Sequence, residues 1–245
     1  MIEVEKYNKL YGDFSAVRDL SFVVQPGDVL GLVGPNGAGK TTTLRALAGI
    51  LQPTSGTIRI CGLDLAKESV AAKSRLAFIP DEPQLFDYLT VTEHLHFITR
   101  LYGVTDASMR MAPLLEELEL TAKKDSLPTE LSRGMKQKLA IACGLLHKPD
   151  VLLLDEPLTG LDPVGIRRMK ETIIARAHEG TAIVLSSHLL HLVEELCTRL
   201  LIIRKGQAVA FGTIADIFAA HPQLEGQSLE ELFLALTGNG EVPAA

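Results

Sequence analysis

The chain has 245 residues, enough for one large domain or two small ones, and 47% of them are hydrophobic, which excludes a largely disordered protein. Its 24 basic and 30 acidic residues give a net charge of −6, so we expect no nucleic-acid partner. The 3 cysteines include no CxxC pair and indicate a reducing compartment.

The start of the chain, "MIEVEKYNKLYG", carries acidic residues where a secretory signal would be basic and then apolar. No apolar run approaches the roughly twenty residues that a membrane-spanning helix needs. We therefore expect a chain that is neither secreted nor membrane-spanning by itself, although it can dock on a membrane protein.

The first sixty or so residues are predicted to be mostly strands, and Leu30–Val33 leads directly into a glycine-rich loop followed by a helical pattern. From about 90 to 148 the pattern is helical, with a possible capping box at Thr90 and Glu93. "TELSRGMKQKLAIACGLL" is predicted to be a helix whose N-cap is Ser132.

From residue 149 the pattern changes to continuous apolar strands, "VLLLDEP" and "TAIVLSSH", separated by a helix. Strands of this kind are typical of parallel sheets buried on both faces. The sequence therefore predicts an α/β core that is interrupted by a helical insertion and followed by a short helix, "SLEELFLAL".

The most specific motif is "GPNGAGKT", which matches G-x-x-x-x-G-K-[ST] between a predicted strand and a predicted helix. Its glycines let backbone N–H groups surround phosphates, and the helix N-terminus adds its dipole. In this motif Lys40 reaches the β- and γ-phosphates, and Thr41 ligates Mg²⁺. The residues expected around the phosphates are Gly34, Pro35, Asn36, Gly37, Ala38, Gly39, Lys40, Thr41 and Thr42.

Two acidic residues follow the buried strand in "VLLLDEP". Asp155 is placed to hold Mg²⁺, and Glu156 can orient or deprotonate the attacking water. His188 follows the next apolar strand, and ligand-binding groups gather at the carboxyl ends of neighbouring parallel strands.

"GPNGAGKTT", "LSRGM", "VLLLDEP", "GLDP" and "SSH" occur in this order, and together they resemble the motifs of the ATP-binding cassette (ABC) ATPases. The resemblance covers about residues 1–220. It implies an α/β P-loop NTPase fold with a RecA-like parallel-sheet core, an N-terminal antiparallel β subdomain and a helical subdomain inserted at about 85–148. Residues 221–245 are then a short C-terminal helical tail, which resembles that of bacterial ABC-2-type exporter ATPases.

In this family two cassettes pair head to tail and enclose ATP between the phosphate loop of one and the signature of the other. The resemblance therefore implies a homodimer in which Ser132 and Gly134 contact the γ-phosphate held by the other copy, with Asp162 at the dimer contact. It makes Lys40, Glu156 and His188 catalytic, with ATP and Mg²⁺ as cofactors.

Tyr11 matches the aromatic residue that stacks on adenine in this family, and an ordinary edge-strand tyrosine is the alternative interpretation. Three positions depart from the family pattern. Arg133 and Met135 replace a glycine and a glutamine of the signature, and Asp81 stands where a glutamine usually senses the metal. Asp81 is expected as a third metal ligand, and Arg133 must either point away from the nucleotide or contact it.

These features imply the ATPase subunit of an ABC transporter, by resemblance an exporter, which works with an integral membrane permease on the inner face of the cell membrane. An alternative is a soluble ABC-type ATPase that acts on a macromolecular assembly. A degenerate cassette that binds ATP without turnover also stays open, because of Arg133 and Asp81.

Overall fold

The computed structural model describes residues 1–224 and 226–238. Within those residues the chain forms ten strands and nine α-helices. The strands are β1 (Ile2–Tyr11), β2 (Phe14–Val24), β3 (Val29–Val33), β4 (Ser55–Ile60), β5 (Leu63–Asp64), β6 (Leu76–Ile79), β7 (Val151–Asp155), β8 (Ala182–Ser186), β9 (Arg199–Arg204) and β10 (Gln207–Gly212). The helices are α1 (Lys40–Leu47), α2 (Ser69–Lys73), α3 (Val91–Tyr102), α4 (Ala107–Glu117), α5 (Arg133–Leu145), α6 (Pro163–His178), α7 (Leu190–Leu196), α8 (Ile214–Ala220) and α9 (Leu229–Thr237).

The strands form two sheets. The first is antiparallel, in the order β2-β1-β4-β5. The second has the order β10-β9-β3-β8-β7-β6, and all of its pairs are parallel except the hairpin of β9 and β10. Every residue of β3, β7 and β8 is buried, as their continuous apolar sequences predict.

Alternate residues of the parallel strands enter two separate hydrophobic cores. Leu30 and Val184 pack in the core that also contains α1 and the antiparallel sheet. Val29 and Ile183 pack in the other core, together with residues of α3 to α7 and α9. The parallel sheet is therefore the middle layer, covered on both faces.

The helical segment lies between β6 and β7 and contains α3, α4 and α5. Thr90 and Glu93 form the predicted capping box at the start of α3, and Gly103 ends that helix in the left-handed conformation. Ser132 caps α5 by accepting a hydrogen bond from the backbone amide of Met135. The Met135 thioether is a weak acceptor and forms no reciprocal capping-box bond with the Ser132 amide.

The fold class predicted from the sequence is confirmed: an α/β core with a parallel sheet, an antiparallel β portion and a helical insertion. Helix α9 packs against α7 and the β9–β10 hairpin. The predicted tail at 221–245 lies partly outside the described residues, and the division of the chain at residue 220 stays a prediction. Among the described residues, no helix is long and apolar enough to cross a lipid bilayer.

Candidate active site

A cavity of about 510 Å³ opens where the carboxyl ends of β3, β7 and β8 meet. It collects most of the site residues predicted from the sequence, although they come from five separate segments. Those that line it are Tyr11, Asn36, Gly37, Ala38, Gly39, Lys40, Thr41, Thr42, Asp81, Asp155, Glu156 and His188. A larger cavity of about 670 Å³, between α4 and α6, contains none of the predicted site residues.

Glycine is required at two positions of the phosphate loop. A Cβ at Gly34 would lie 2.3 Å from the carbonyl oxygen of Ile203. Gly39 has φ +108°, and a Cβ there would lie 2.8 Å from the carbonyl oxygen of Ala16. The loop therefore packs its backbone directly against neighbouring backbone, which fixes the direction in which helix α1 begins.

The Lys40 side chain folds back over its own loop. Its Nζ donates hydrogen bonds to the carbonyl oxygens of Gly34, at 2.6 Å, and Pro35, at 3.3 Å. Burial lowers the pKa of Lys40 from its ordinary value, and the Glu156 and Asp155 carboxylates oppose that shift. The ammonium group thus lies in the same cavity as both carboxylates, where the phosphates of a nucleotide are expected.

Ser186 joins the two acidic residues, and it was not among the predicted site residues. Its hydroxyl donates to Asp155 Oδ1 at 2.5 Å and accepts from the backbone amide of Glu156 at 3.2 Å. Both Asp155 and Ser186 are buried. The sequence feature that pointed to Ser186 is its place as the first residue of the quoted "SSH" motif. In the sheet it lies beside Asp155.

Glu156 has a backbone φ of +49°, a conformation that residues other than glycine rarely adopt. Its carboxylate Oε2 lies 2.9 Å from His188 Nδ1. Strained residues of this kind persist where surrounding contacts hold them, and they concentrate at functional sites. Here the holding contacts are Ser186 on the backbone and His188 on the side chain.

Two aromatic residues stand at the mouth of the cavity. Tyr11 and Phe14 face each other across the β1–β2 turn, with exposures of 49% and 65%. The Lys9 ammonium lies 5.1 Å from the centre of the Tyr11 ring. Only Tyr11 was expected from the sequence, since nothing in a short strand pattern singles out Phe14.

The signature residues lie outside this cavity. Ser132 is exposed at the N-terminus of α5. The backbone of Gly134 approaches that of Gly160, because a Cβ at Gly134 would lie 3.0 Å from the Gly160 carbonyl oxygen. Asp162 is exposed and caps α6, where its Oδ1 accepts a hydrogen bond from the amide of Gly165 at 2.9 Å.

The two charged departures from the family pattern contact each other. Arg133 Nη2 lies 3.3 Å from Asp81 Oδ1. The Arg133 side chain thus extends toward Asp81, which lines the cavity of the same chain.

Comparison with known proteins decides the family. A family model described as ABC transporter matches residues 17–159, which is more than half of the chain. The chain belongs to the ABC transporter family. Within that family, the Nod factor export ATP-binding protein I of Paraburkholderia xenovorans (strain LB400) is 42% identical to this chain over 221 residues, which cover 89% of this chain and 73% of that protein.

Two further likenesses agree with this assignment. The linearmycin resistance ATP-binding protein LnrL of Bacillus subtilis (strain 168) is 38% identical over 220 residues, covering 89% of this chain and 70% of that protein. A solved structure of an ATP binding subunit of an ABC transporter has a TM-score of 0.93 at 37% identity and covers 97% of this chain and 99% of its own. This ABC-family chain is therefore an ATP-binding and ATP-hydrolysing subunit, as predicted, while the roles of its individual residues stay predictions.

Proposed function

We propose that this chain works as a homodimer that encloses two ATP molecules and drives a separate membrane permease of an exporter. The single observation that supports the dimer is the separation of the two halves of the site. Lys40 lines the cavity, whereas Ser132 lies outside it on an exposed helix N-terminus. A second copy turned head to tail brings that N-terminus, with its N–H groups and dipole, to the triphosphate held by Lys40.

In this proposal each residue of the cavity has a separate role in the ATPase reaction. The Lys40 ammonium stabilises negative charge on the β- and γ-phosphates. Glu156 orients the attacking water and accepts its proton, and His188 holds the Glu156 carboxylate in place at 2.9 Å. Ser186 fixes the backbone of Glu156 and the carboxylate of Asp155 at the same time.

The donor atoms fit Mg²⁺, which prefers oxygen ligands and is bound in phosphate-transfer sites by one or two carboxylates together with substrate phosphates. The Thr41 hydroxyl and the Asp155 carboxylate line one cavity and would hold the ion, with Asp81 at the edge of the same cavity. When bound, the metal neutralises charge that develops on the phosphates. Asp155 is held for this role by the Ser186 hydroxyl.

Support for export comes from the relatives, one of which is described as a Nod factor export protein and another as a linearmycin resistance protein. Support for a permease comes from an apolar groove next to the Asp81 segment. Phe86 and Phe97 meet edge to face at 5.2 Å in this groove and are 54% and 42% exposed. Exposed apolar surface of this kind suits an amphipathic helix from a protein partner.

The experiment is co-purification from native membranes in which a tagged version of the chain replaces the native one. We expect an integral membrane protein to be recovered in stoichiometric amount. Phe97→Ser should lose that protein while its ATP affinity is unchanged, and Val70→Ser, at a site 84% exposed on α2, should retain it. Recovery of a soluble assembly without an integral protein would instead favour an ABC-type ATPase acting on that assembly.

A further inference from the structure

Arg133 and Asp81 lie 52 positions apart and belong to different parts of the fold. Asp81 follows β6 of the parallel sheet, and Arg133 is the first residue of α5 in the helical insertion. The Arg133 guanidinium donates a hydrogen bond from Nη2 to Asp81 Oδ1 at 3.3 Å. The pair therefore connects the signature helix of a chain to the nucleotide cavity of the same chain.

The path of the Arg133 side chain depends on Gly160. A Cβ at Gly160 would lie 3.1 Å from Arg133 Cδ and 3.3 Å from Arg133 Nε, so the side chain crosses directly over this glycine. The adjacent Gly134 packs against the carbonyl oxygen of the same Gly160. Since Gly160 follows Asp155 and Glu156 by only a few residues, three segments of the site converge at this point.

The Asp81 carboxylate is within reach of two different positive charges, the expected metal ion and the Arg133 guanidinium. It lines the cavity together with Lys40, Thr41 and Asp155, where a divalent cation is expected. Its Oδ1, however, is already hydrogen-bonded to a guanidinium whose charge offsets that of the carboxylate. A cation that approaches Asp81 must therefore compete with Arg133.

We propose that Arg133 is a positioning residue for the ATPase reaction: it holds the Asp81 carboxylate between turnovers and competes with Mg²⁺ for it when nucleotide enters. This inference rests on the proposed function, because it requires a metal–nucleotide complex in the Lys40 cavity. It also ties metal loading to the signature, because release of Asp81 frees the Arg133 side chain at the start of α5.

The strength of the pair suits such a competition. The side chains of Arg133 and Asp81 are 58% and 44% exposed, and exposed ion pairs shift an equilibrium by only about 1.5- to 5-fold. A metal ion can displace an ion pair of this strength. The pair is still strong enough to change the apparent metal affinity measurably.

The experiment separates the effect of Arg133 on the metal from its effect on the nucleotide. The affinity of the full chain for a fluorescent non-hydrolysable ATP analogue is measured with Mg²⁺ and with a chelator, and the ratio of the two Kd values gives the Mg²⁺ enhancement. We expect Arg133→Ala, with Arg133→Gly as a second variant, to raise this ratio about two- to fivefold. Thermal unfolding checks that each variant folds.

The deciding comparison uses Asp81→Asn, a side chain of nearly the same shape without the charge. In that background Arg133→Ala should leave the Mg²⁺ enhancement unchanged, because the competition has been removed. The matched control is Arg168→Ala, which removes an equal charge from an exposed pair with Glu119, outside the cavity, and should have no effect in either background.

An unchanged ratio in Arg133→Ala, or the same change with and without Asp81→Asn, would overturn the proposal. Both of these results presuppose that the wild-type chain binds the analogue. If it bound no analogue at all, the proposed function itself would fail, so the two failures are distinguishable.

Discussion

His188 Nδ1 lies 2.9 Å from Glu156 Oε2, although the two residues follow different strands of the parallel sheet. The Glu156 side chain is 18% exposed and that of His188 is 60% exposed, so the imidazole covers the carboxylate on its solvent side. Ser186 accepts a hydrogen bond from the backbone amide of Glu156, so the residue is held at its backbone as well as at its carboxylate. This constraint is what the proposed water-orienting role requires.

Ser186→Ala should weaken both stability and turnover. The substitution removes the hydroxyl that donates to the buried Asp155 carboxylate, and an unpaired buried polar group costs about 1–3 kcal/mol, more if it is charged. We expect the free energy of unfolding to fall by at least that amount in urea titrations and the ATPase rate to fall at all Mg²⁺ concentrations. The control is Ser187→Ala, which removes a hydroxyl that accepts a hydrogen bond from the amide of Leu189. Equal turnover in both variants would contradict the role of Ser186.

Gly134→Ala should separate the start of α5 from the turn at Gly160. The added Cβ would lie 3.0 Å from the Gly160 carbonyl oxygen and 3.4 Å from Leu161 Cδ2, so one side must move. Overpacking of this kind costs about 1–3 kcal/mol. We expect lower thermal stability together with a weaker ATP-driven dimer in sedimentation experiments. Wild-type thermal stability and wild-type dimer formation in this variant would show that the close contact between Gly134 and Gly160 is not required.

Tyr11→Ala should weaken ATP binding if the ring stacks on adenine. Stacking of a base on an aromatic ring contributes about 1–3 kcal/mol, which corresponds to roughly 5- to 150-fold in affinity. Phe14→Ala is the matched comparison, because Phe14 stands at the same mouth of the cavity. Nucleotide titrations that show the loss only in Phe14→Ala would move the stacking role to Phe14 and refute the prediction for Tyr11.

His147 should make the chain less stable in mild acid. Its ring stacks on Tyr102 at 3.8 Å, and burial lowers its pKa below the ordinary value of 6.5. The folded state thus favours the neutral imidazole, so its contribution is complete above the unfolded pKa and is lost as the pH falls through the folded pKa. Urea unfolding at about pH 7.5 and 5.5 should show a smaller pH-dependent loss in His147→Gln than in wild type.

The matched control for that measurement is His178→Gln, which alters an exposed histidine near the end of α6. This variant should keep the pH dependence of the wild type. A His147→Gln variant with the wild-type slope would show that another group is responsible for the acid sensitivity.

The catalytic core of this fold was predictable because its signals are local. Continuous apolar strands fix β7 and β8, and a glycine-rich loop between a strand and a helix fixes the position of Lys40. Ser132 was predictable as a cap for the same reason, since capping depends on neighbouring backbone amides.

Contacts between distant segments were not predictable in this way. Ser186 can contact Asp155 because β8 lies beside β7 in the sheet. The register of that pair of strands cannot be predicted from the sequence of either strand alone. The meeting of Arg133 with Asp81 depends on how the helical insertion returns to the core over Gly160. Sequence could name both residues as unusual without showing that they touch.

The shared nucleotide site is tested most directly by light scattering of Glu156→Gln, in which ATP is bound without rapid hydrolysis. We predict the mass of a single chain, 26.5 kDa, without nucleotide and twice that mass at saturating ATP and Mg²⁺. Adding Lys40→Ala to the same chain should abolish the doubling, because the triphosphate is no longer held. A Glu156→Gln chain that binds ATP and stays a monomer would contradict the account.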